Sequence, residues 1–72
     1  MKLEVKHLRT NEYTHSEYEV PEGTIYGFWR VIEWVGKYWF PWPGIYETKE
    51  GATKAMEKAI RLSKGDKNEE RL

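Results

Sequence analysis

The 72-residue sequence contains no cysteine, only two histidines and no long uninterrupted apolar segment. The absence of cysteine excludes disulfides and thiolate metal sites, and it is typical of a reducing, intracellular setting. The most apolar stretch, Ile25 to Tyr46, is broken by three charges and two prolines, so we do not expect it to span a membrane. The first six residues lack the apolar run of a signal peptide. We therefore expect a cytoplasmic protein.

The chain also lacks net charge, because 12 basic residues balance 12 acidic ones. Nonspecific attraction to nucleic-acid phosphates should therefore be weak, and any such binding would depend on a local basic patch. No serine stands in a nucleophile-elbow motif, no glycine-rich loop precedes a helix, and the spacing of His7 and His15 does not indicate a zinc site. We expect no catalytic activity, no cofactor or metal, and no small-molecule substrate.

Alternating hydropathy in the first two thirds of the chain predicts an antiparallel sheet. Residues 3–8 alternate and predict a short strand, whereas residues 14–20 fit either a second strand or a loop. A stronger strand is predicted from Thr24 to Val35, which is rich in β-branched and aromatic residues. Tyr38 to Trp42 returns as its hairpin partner after a tight turn at Gly36.

A helix is predicted from about Lys49 to Ser63, with Thr48 as its N-cap. Small and apolar residues recur along it at helical spacing: Ala52, Ala55, Met56, Ala59 and Ile60. Because alanine side chains are short, this helix can lie close to a sheet whose bulk comes from aromatic rings. The predicted fold class is α+β: an antiparallel meander of three or four strands packed on one C-terminal helix.

The length supports one small domain and no second core. Gly65 ends the helical pattern, and the seven residues that follow are almost wholly charged or polar. We therefore expect a single sheet-plus-helix domain over residues 1–65 and a disordered, charged tail over residues 66–72.

Four tryptophans lie within fourteen residues, at Trp29, Trp34, Trp39 and Trp42. Strand alternation places Trp29 and Trp34 on opposite faces of the predicted sheet, and a single helix can cover only one face. We therefore expect at least one of the four rings to be substantially exposed, where it would mark a binding or assembly surface.

Five basic residues are candidates for contacts with phosphate. Arg30 projects from the aromatic strand, and Lys37 is at the hairpin tip, so both could act among rings that stack on bases. Lys54, Lys58 and Arg61 share one helical face at i, i+4 and i+7. A charged outer face is also ordinary for a surface helix, and Lys54 and Arg61 have acidic neighbours one turn away.

The segment from Gly44 to Ala59, GIYETKEGATKAMEKA, enters its helix through a glycine, aromatic, acid, threonine, glutamate and alanine series, and the hairpin WVGKYW precedes it. Over residues 26–59 these features resemble the plant ethylene-response-factor DNA-binding domain and its phage integrase arm-binding relatives. The resemblance implies a three-stranded sheet that lies in the DNA major groove and is backed by the helix. Residues that would then face DNA are Arg30, Trp34, Lys37 and Trp39.

Two functional hypotheses follow. The first is a small non-catalytic module that binds double-stranded DNA through an aromatic and basic sheet face. Its predicted contacts are Trp29, Arg30, Trp34, Lys37, Trp39 and Trp42, with Lys54, Lys58 and Arg61 as possible phosphate contacts. The alternative is a protein-interaction domain that uses exposed tryptophans, such as a small phage-type inhibitor or adaptor or a subunit of a homo-oligomer, for example a homodimer. A positive sheet face opposite the helix would favour DNA, and a neutral, apolar face would favour a protein partner.

Overall fold

The computed structural model describes residues 2–63 of the chain, which form four strands and one helix. The elements are β1 (Leu3–Thr10), β2 (Glu17–Glu19), β3 (Phe28–Val35), β4 (Tyr38–Pro41) and α1 (Lys49–Ser63). The predicted tail over residues 66–72 lies outside the described residues, as does the predicted end of the domain at residue 65. Among residues 2–63, no helix is long and apolar enough to cross a membrane.

The strands form one antiparallel sheet in the order β2-β1-β3-β4. The helix α1 packs against the two central strands, β1 and β3, which confirms the predicted α+β class with one C-terminal helix. The order departs from a sequential meander because β3 pairs with β1 and leaves β2 at an edge. β2 is short, and its Tyr18 and Glu19 are exposed, so it lacks the apolar residues that a central strand needs.

Two predicted strands are shorter than expected because turns occupy their ends. The Asn11 side chain accepts hydrogen bonds from the amides of Tyr13 and Thr14 at 2.8 and 3.0 Å, which fixes a turn where the second strand was expected to begin. The strongest predicted strand begins at Phe28 instead of four residues earlier. Tyr26 has a left-handed φ of 70°, which an extended strand cannot contain.

The helix α1 covers the predicted range and begins with the predicted cap. Thr48 Oγ1 accepts a hydrogen bond from the Gly51 amide at 3.0 Å. The Lys49 ammonium lies 5.7 Å from the centre of the Trp29 ring, so the helix begins on the face of β3 that carries Trp29. Ala52 is fully buried, in agreement with a close approach of helix and sheet. The other predicted contact residues are half-buried: Ala55, Met56, Ala59 and Ile60.

Opposite residues in an antiparallel ladder share a face, so the register assigns every strand residue to one side of the sheet. On the side where α1 begins, which we call the helix face, His7 is opposite Trp29 and Val5 is opposite Val31. His7, Trp29 and Val31 are buried there. This side forms a conventional core between sheet and helix.

The other side, which we call the charged face, carries Lys6 opposite Arg30. Leu8 and Ile32 also lie on this side, and both are fully buried. The predicted division of β3 into two faces is therefore confirmed by the register. Apolar side chains are buried on both faces, although α1 begins on only one of them.

Candidate functional site

Arg30, the arginine predicted to contact DNA, is held by intramolecular partners. Its Nη1 donates to Glu17 Oε2 at 2.6 Å, and its Nη2 donates to the Trp42 carbonyl at 2.7 Å. Glu17 belongs to one edge strand and Trp42 directly follows the other, so a single side chain links both edges of the sheet. Such a link requires a strongly curled sheet. A phosphate could reach this guanidinium only by displacing charge-assisted bonds.

Lys6 is the second cation of the charged face, and sequence reasoning did not single it out. Its side chain is only 8% exposed. Lys6 Nζ donates to Glu19 Oε1 at 3.0 Å and lies 3.8 Å from a Glu4 oxygen. The same ammonium lies 5.6 and 6.0 Å from the ring centres of Trp34 and Trp39. Only the long-range pairing of the strands creates this environment, and no local pattern signals it.

The charged face does not carry an excess of positive charge. Within the four strands, its cations are Lys6 and Arg30, and its carboxylates are Glu4, Glu17 and Glu19. Both cations are paired with these carboxylates. Phosphate binding depends on unpaired cations, whereas on this face both cations are paired and the carboxylates outnumber them.

The expectation of an exposed tryptophan is wrong for the described structure. Trp29 is 9% exposed, and Trp34, Trp39 and Trp42 are half-buried. Trp34 and Trp39 are opposite each other across the β3–β4 hairpin on the charged face, where they cover part of the curled sheet. There are more rings than a core on one face would need, because apolar side chains are buried on both faces of the sheet.

Two of the tryptophans are also fixed by hydrogen bonds to carboxylates. Trp34 Nε1 donates to Glu4 Oε1 at 2.8 Å, and Trp42 Nε1 donates to Glu33 Oε1 at 3.0 Å. An indole that finds such a partner can be partly buried without an unsatisfied donor. These two rings therefore contribute to the stability of the sheet through hydrogen bonds within the chain.

His7 has a structural environment on the helix face. Its ring stacks on Trp29 with a centroid separation of 4.6 Å, and its Nδ1 donates to the Pro21 carbonyl at 2.8 Å. A Cβ at Gly27 would lie only 2.5 Å from two atoms of the His7 ring, so the absence of a side chain at that position makes room for the stack. No group of three His, Asp or Glu residues in the described part of the chain is arranged to hold a metal ion.

The structure does not bring the remaining predicted contacts to one place. Trp29 and Arg30 project to opposite faces of β3, and Lys37 is exposed at the hairpin tip with its ammonium 5.6 Å from the Tyr38 ring. The predicted phosphate contacts are exposed on α1: Lys54, Lys58 and Arg61. A continuous DNA surface over the predicted residues would have to include two faces, a turn and the helix.

An exposed apolar cluster lies on the β3–β4 hairpin. Val35 is opposite Tyr38, and Phe40 follows two residues later, so the three side chains share the helix face. Their exposed fractions are 56%, 63% and 56%. We call Val35, Tyr38 and Phe40 the hairpin patch. Sequence reasoning assigned the exposed role to the tryptophans and missed this patch, although the alternation of β4 contains it.

Comparison with models of protein families, with curated proteins and with solved structures finds no match for this chain. The resemblance to the ethylene-response-factor domain therefore stays a prediction from local sequence.

Proposed function

We propose that this chain is a small, non-catalytic protein-interaction module that self-associates through the hairpin patch. The observation that supports the proposal is the exposure of Val35, Tyr38 and Phe40 on one face of a hairpin. Contiguous exposed apolar side chains favour a protein contact, and aromatic residues are common anchors in such contacts.

The position of β4 at the edge of the sheet also supports this proposal. The Trp42 amide donates to the Val31 carbonyl, so backbone alternation directs the amide and carbonyl of Trp39 away from β3. Pro41 has no amide hydrogen and cannot donate along the same edge. A partner can therefore form only a short ladder with β4, and side-chain packing on the hairpin patch must supply most of the affinity.

A second copy of the chain is the partner that the charges favour. The formal net charge is zero, so two copies meet without long-range repulsion. A twofold axis near Trp39 would bring each hairpin patch close to its symmetry mate, because an isologous interface uses the same surface twice. The hairpin tip contributes Lys37, whose ammonium already lies over Tyr38 and can remain solvated at the rim of the interface.

DNA binding, the first hypothesis from the sequence, has less support. The two terminal guanidinium nitrogens of Arg30, Nη1 and Nη2, both donate to partners within the chain. The charged face also carries more carboxylates than cations. The exposed cations Lys54, Lys58 and Arg61 lie on α1, whereas the hypothesis places DNA on the sheet face opposite the helix.

The proposal is tested by measuring molar mass with light scattering over a range of protein concentrations. We expect the wild-type protein to approach the mass of two chains, whereas Phe40→Lys stays monomeric because it places like charges at the interface. Glu33 is opposite Phe40, so a lysine there keeps a favourable neighbour within the monomer. Tyr13→Lys is the matched control, since Tyr13 is 89% exposed in the turn between β1 and β2.

A wild-type protein that stays monomeric at all concentrations would refute self-association. Titration of a labelled duplex at two salt concentrations tests the competing hypothesis in the same samples. Micromolar binding that weakens with salt, and that Arg61→Ala or Arg30→Ala reduces, would favour DNA as the partner.

A further inference from the structure

The strand β1 is longer than its neighbour β2 and has an open edge near its N-terminal end. The last backbone bond between them runs from the Val20 amide to the His7 carbonyl. The Lys2 carbonyl accepts from the Trp34 amide, so the even-numbered residues of β1 direct their backbone groups towards β3. The odd-numbered residues Leu3 and Val5 consequently direct theirs to the side where β2 has ended.

A cleft of about 330 Å³ lies beside this edge. Its apolar lining comes from both sides of the gap that β2 leaves: Val5, Val20, Pro21 and Trp29. The backbone of β1 forms one wall, and the loop after β2 forms the opposite wall. Within residues 2–63, the cleft therefore combines strand groups that have no backbone partner with a pocket that can take one side chain, which are the two components of recognition by strand addition.

The cleft is lined by three carboxylates and two lysines, so its formal charge is slightly negative. Glu4, Glu19 and Glu22 line it, and all three carboxylates are at least half exposed. Lys6 is buried and is bonded to Glu19, and the exposed Lys49 ammonium lies 3.3 Å from a Glu22 oxygen. A basic partner would gain electrostatic attraction here, and an acidic one would be repelled.

We propose that the edge of β1 from Leu3 to Val5 binds an extended, basic peptide segment as an added strand. Alternate side chains of the peptide would lie in the cleft beside Val5 and near the carboxylates of the opposite face. This site lies at the β1 edge, whereas the hairpin patch lies at the β4 edge, so the two proposals can fail independently.

The experiment uses the full chain and a short capped peptide of alternating lysine and valine. Amide hydrogen exchange of Leu3 and Val5 should slow by about tenfold or more at saturating peptide, since a new ladder protects them. The Val20 amide, which is already bonded to His7, serves as the internal control. The matched control peptide has the same sequence with alternate amides N-methylated, which keeps its charge and removes its ladder donors.

A second arm tests the preference for basic peptides. Glu22→Lys should weaken binding about fivefold or more, because it reverses a carboxylate beside the cleft. Glu12→Lys makes the same change in charge at an exposed position outside the cleft and should leave the affinity unchanged. Phe40→Lys should also leave it unchanged, which separates this site from the hairpin patch.

Several outcomes would overturn the proposal. Equal binding of the normal and N-methylated peptides would indicate charge attraction without an added strand. Equal loss in the Glu22 and Glu12 variants would remove the cleft from the explanation. Slow exchange of Leu3 and Val5 without peptide that depends on protein concentration would show that a second copy occupies the edge. If the peptide protects neither the Leu3 amide nor the Val5 amide from exchange, the edge of β1 does not bind a basic peptide as an added strand.

Discussion

The tryptophans and the tyrosines of this protein occupy different environments. All four tryptophans are buried or half-buried, and three of them stack on a side chain or donate to a carboxylate. Four of the five tyrosines are exposed: Tyr13, Tyr18, Tyr26 and Tyr38. None of the tryptophans is among the exposed aromatic side chains, which are these four tyrosines and Phe40. A high density of aromatic residues in the sequence therefore indicates how much apolar surface the fold has to bury. The place where a partner can bind is indicated instead by which rings stay exposed on a strand face.

The difference has a physical cause in the two-sided closure of the sheet. The helix α1 begins on one face, and the other face is closed by curling of the sheet, by Trp34 and Trp39, and by ion pairs that cross between strands. The indole rings are large enough to cover strand residues and have a donor that a nearby carboxylate satisfies. The indole donors of Trp34 and Trp42 are then already used within the chain.

The largest expected effect is a difference in stability between replacing the buried Trp29 and replacing the exposed Tyr13. Trp29→Ala should lower the free energy of unfolding by about 3–5 kcal/mol, because it removes a buried ring that stacks on His7. Tyr13→Ala should change it by no more than about 0.5 kcal/mol. Denaturant unfolding monitored by circular dichroism measures both. Similar losses in the two variants would remove the distinction between internal and exposed aromatics.

The next effect tests whether Arg30 is structural. Arg30→Ala should destabilise the protein by about 2–3 kcal/mol, because Glu17 would lose its charged partner in a partly buried position. The double variant with Glu17→Gln should recover part of this loss, since it removes the unpaired charge. Arg61→Ala on the exposed face of α1 is the control and should have little effect on the unfolding curve. Stability unchanged by Arg30→Ala would return this arginine to the candidates for external contact.

A smaller effect is expected where backbone and ring approach each other. Gly27→Ala should cost about 1–3 kcal/mol, because the new Cβ would force the His7 ring from its stack with Trp29. Gly23→Ala is matched in chemistry and meets no atom within 4 Å. Thermal unfolding should show a lower midpoint for the first variant and little change for the second. Equal midpoints would mean that His7 does not depend on this contact.

The smallest effect concerns the turn that presents the hairpin patch. Gly36 has a φ of 65°, and a Cβ there would meet no atom within 4 Å, so the cost of Gly36→Ala is backbone strain of about 1 kcal/mol. Gly36→Asn should cost less, because asparagine tolerates this conformation better. Urea midpoints distinguish the two. A larger loss for asparagine would show that side-chain contacts decide the turn.

Local patterns were sufficient to predict the helix, its Thr48 cap, the β3–β4 hairpin and the α+β class. Each of these depends on residues close in sequence, such as the Thr48–Gly51 hydrogen bond. The pairing of β1 with β3 depends on residues at least 20 positions apart, and the sequence contains no local signal for it. That pairing buries Lys6 and determines the strand order.

The site could be predicted only in part for the same reason. Alternation correctly divided β3 into two faces, but it could not show that Glu17 and the Trp42 carbonyl would bind Arg30. At least one of the four tryptophans was expected to be exposed because the second face was assumed to lack a cover. Ion pairs and a curled sheet provide that cover, and they arise from tertiary contacts that hydropathy does not encode.

Dilution of the isotopically labelled protein, followed by NMR, tests most directly whether the hairpin patch, and not the tryptophans, forms the interface. As concentration falls, the resonances of Val35, Tyr38 and Phe40 should shift together along one binding curve. The indole N–H signal of Trp34 should stay constant, since this ring lies on the opposite face from the hairpin patch and donates to Glu4 of the same chain. A shift of the Trp34 indole signal with a static hairpin patch, or no concentration dependence at all, would contradict this assignment.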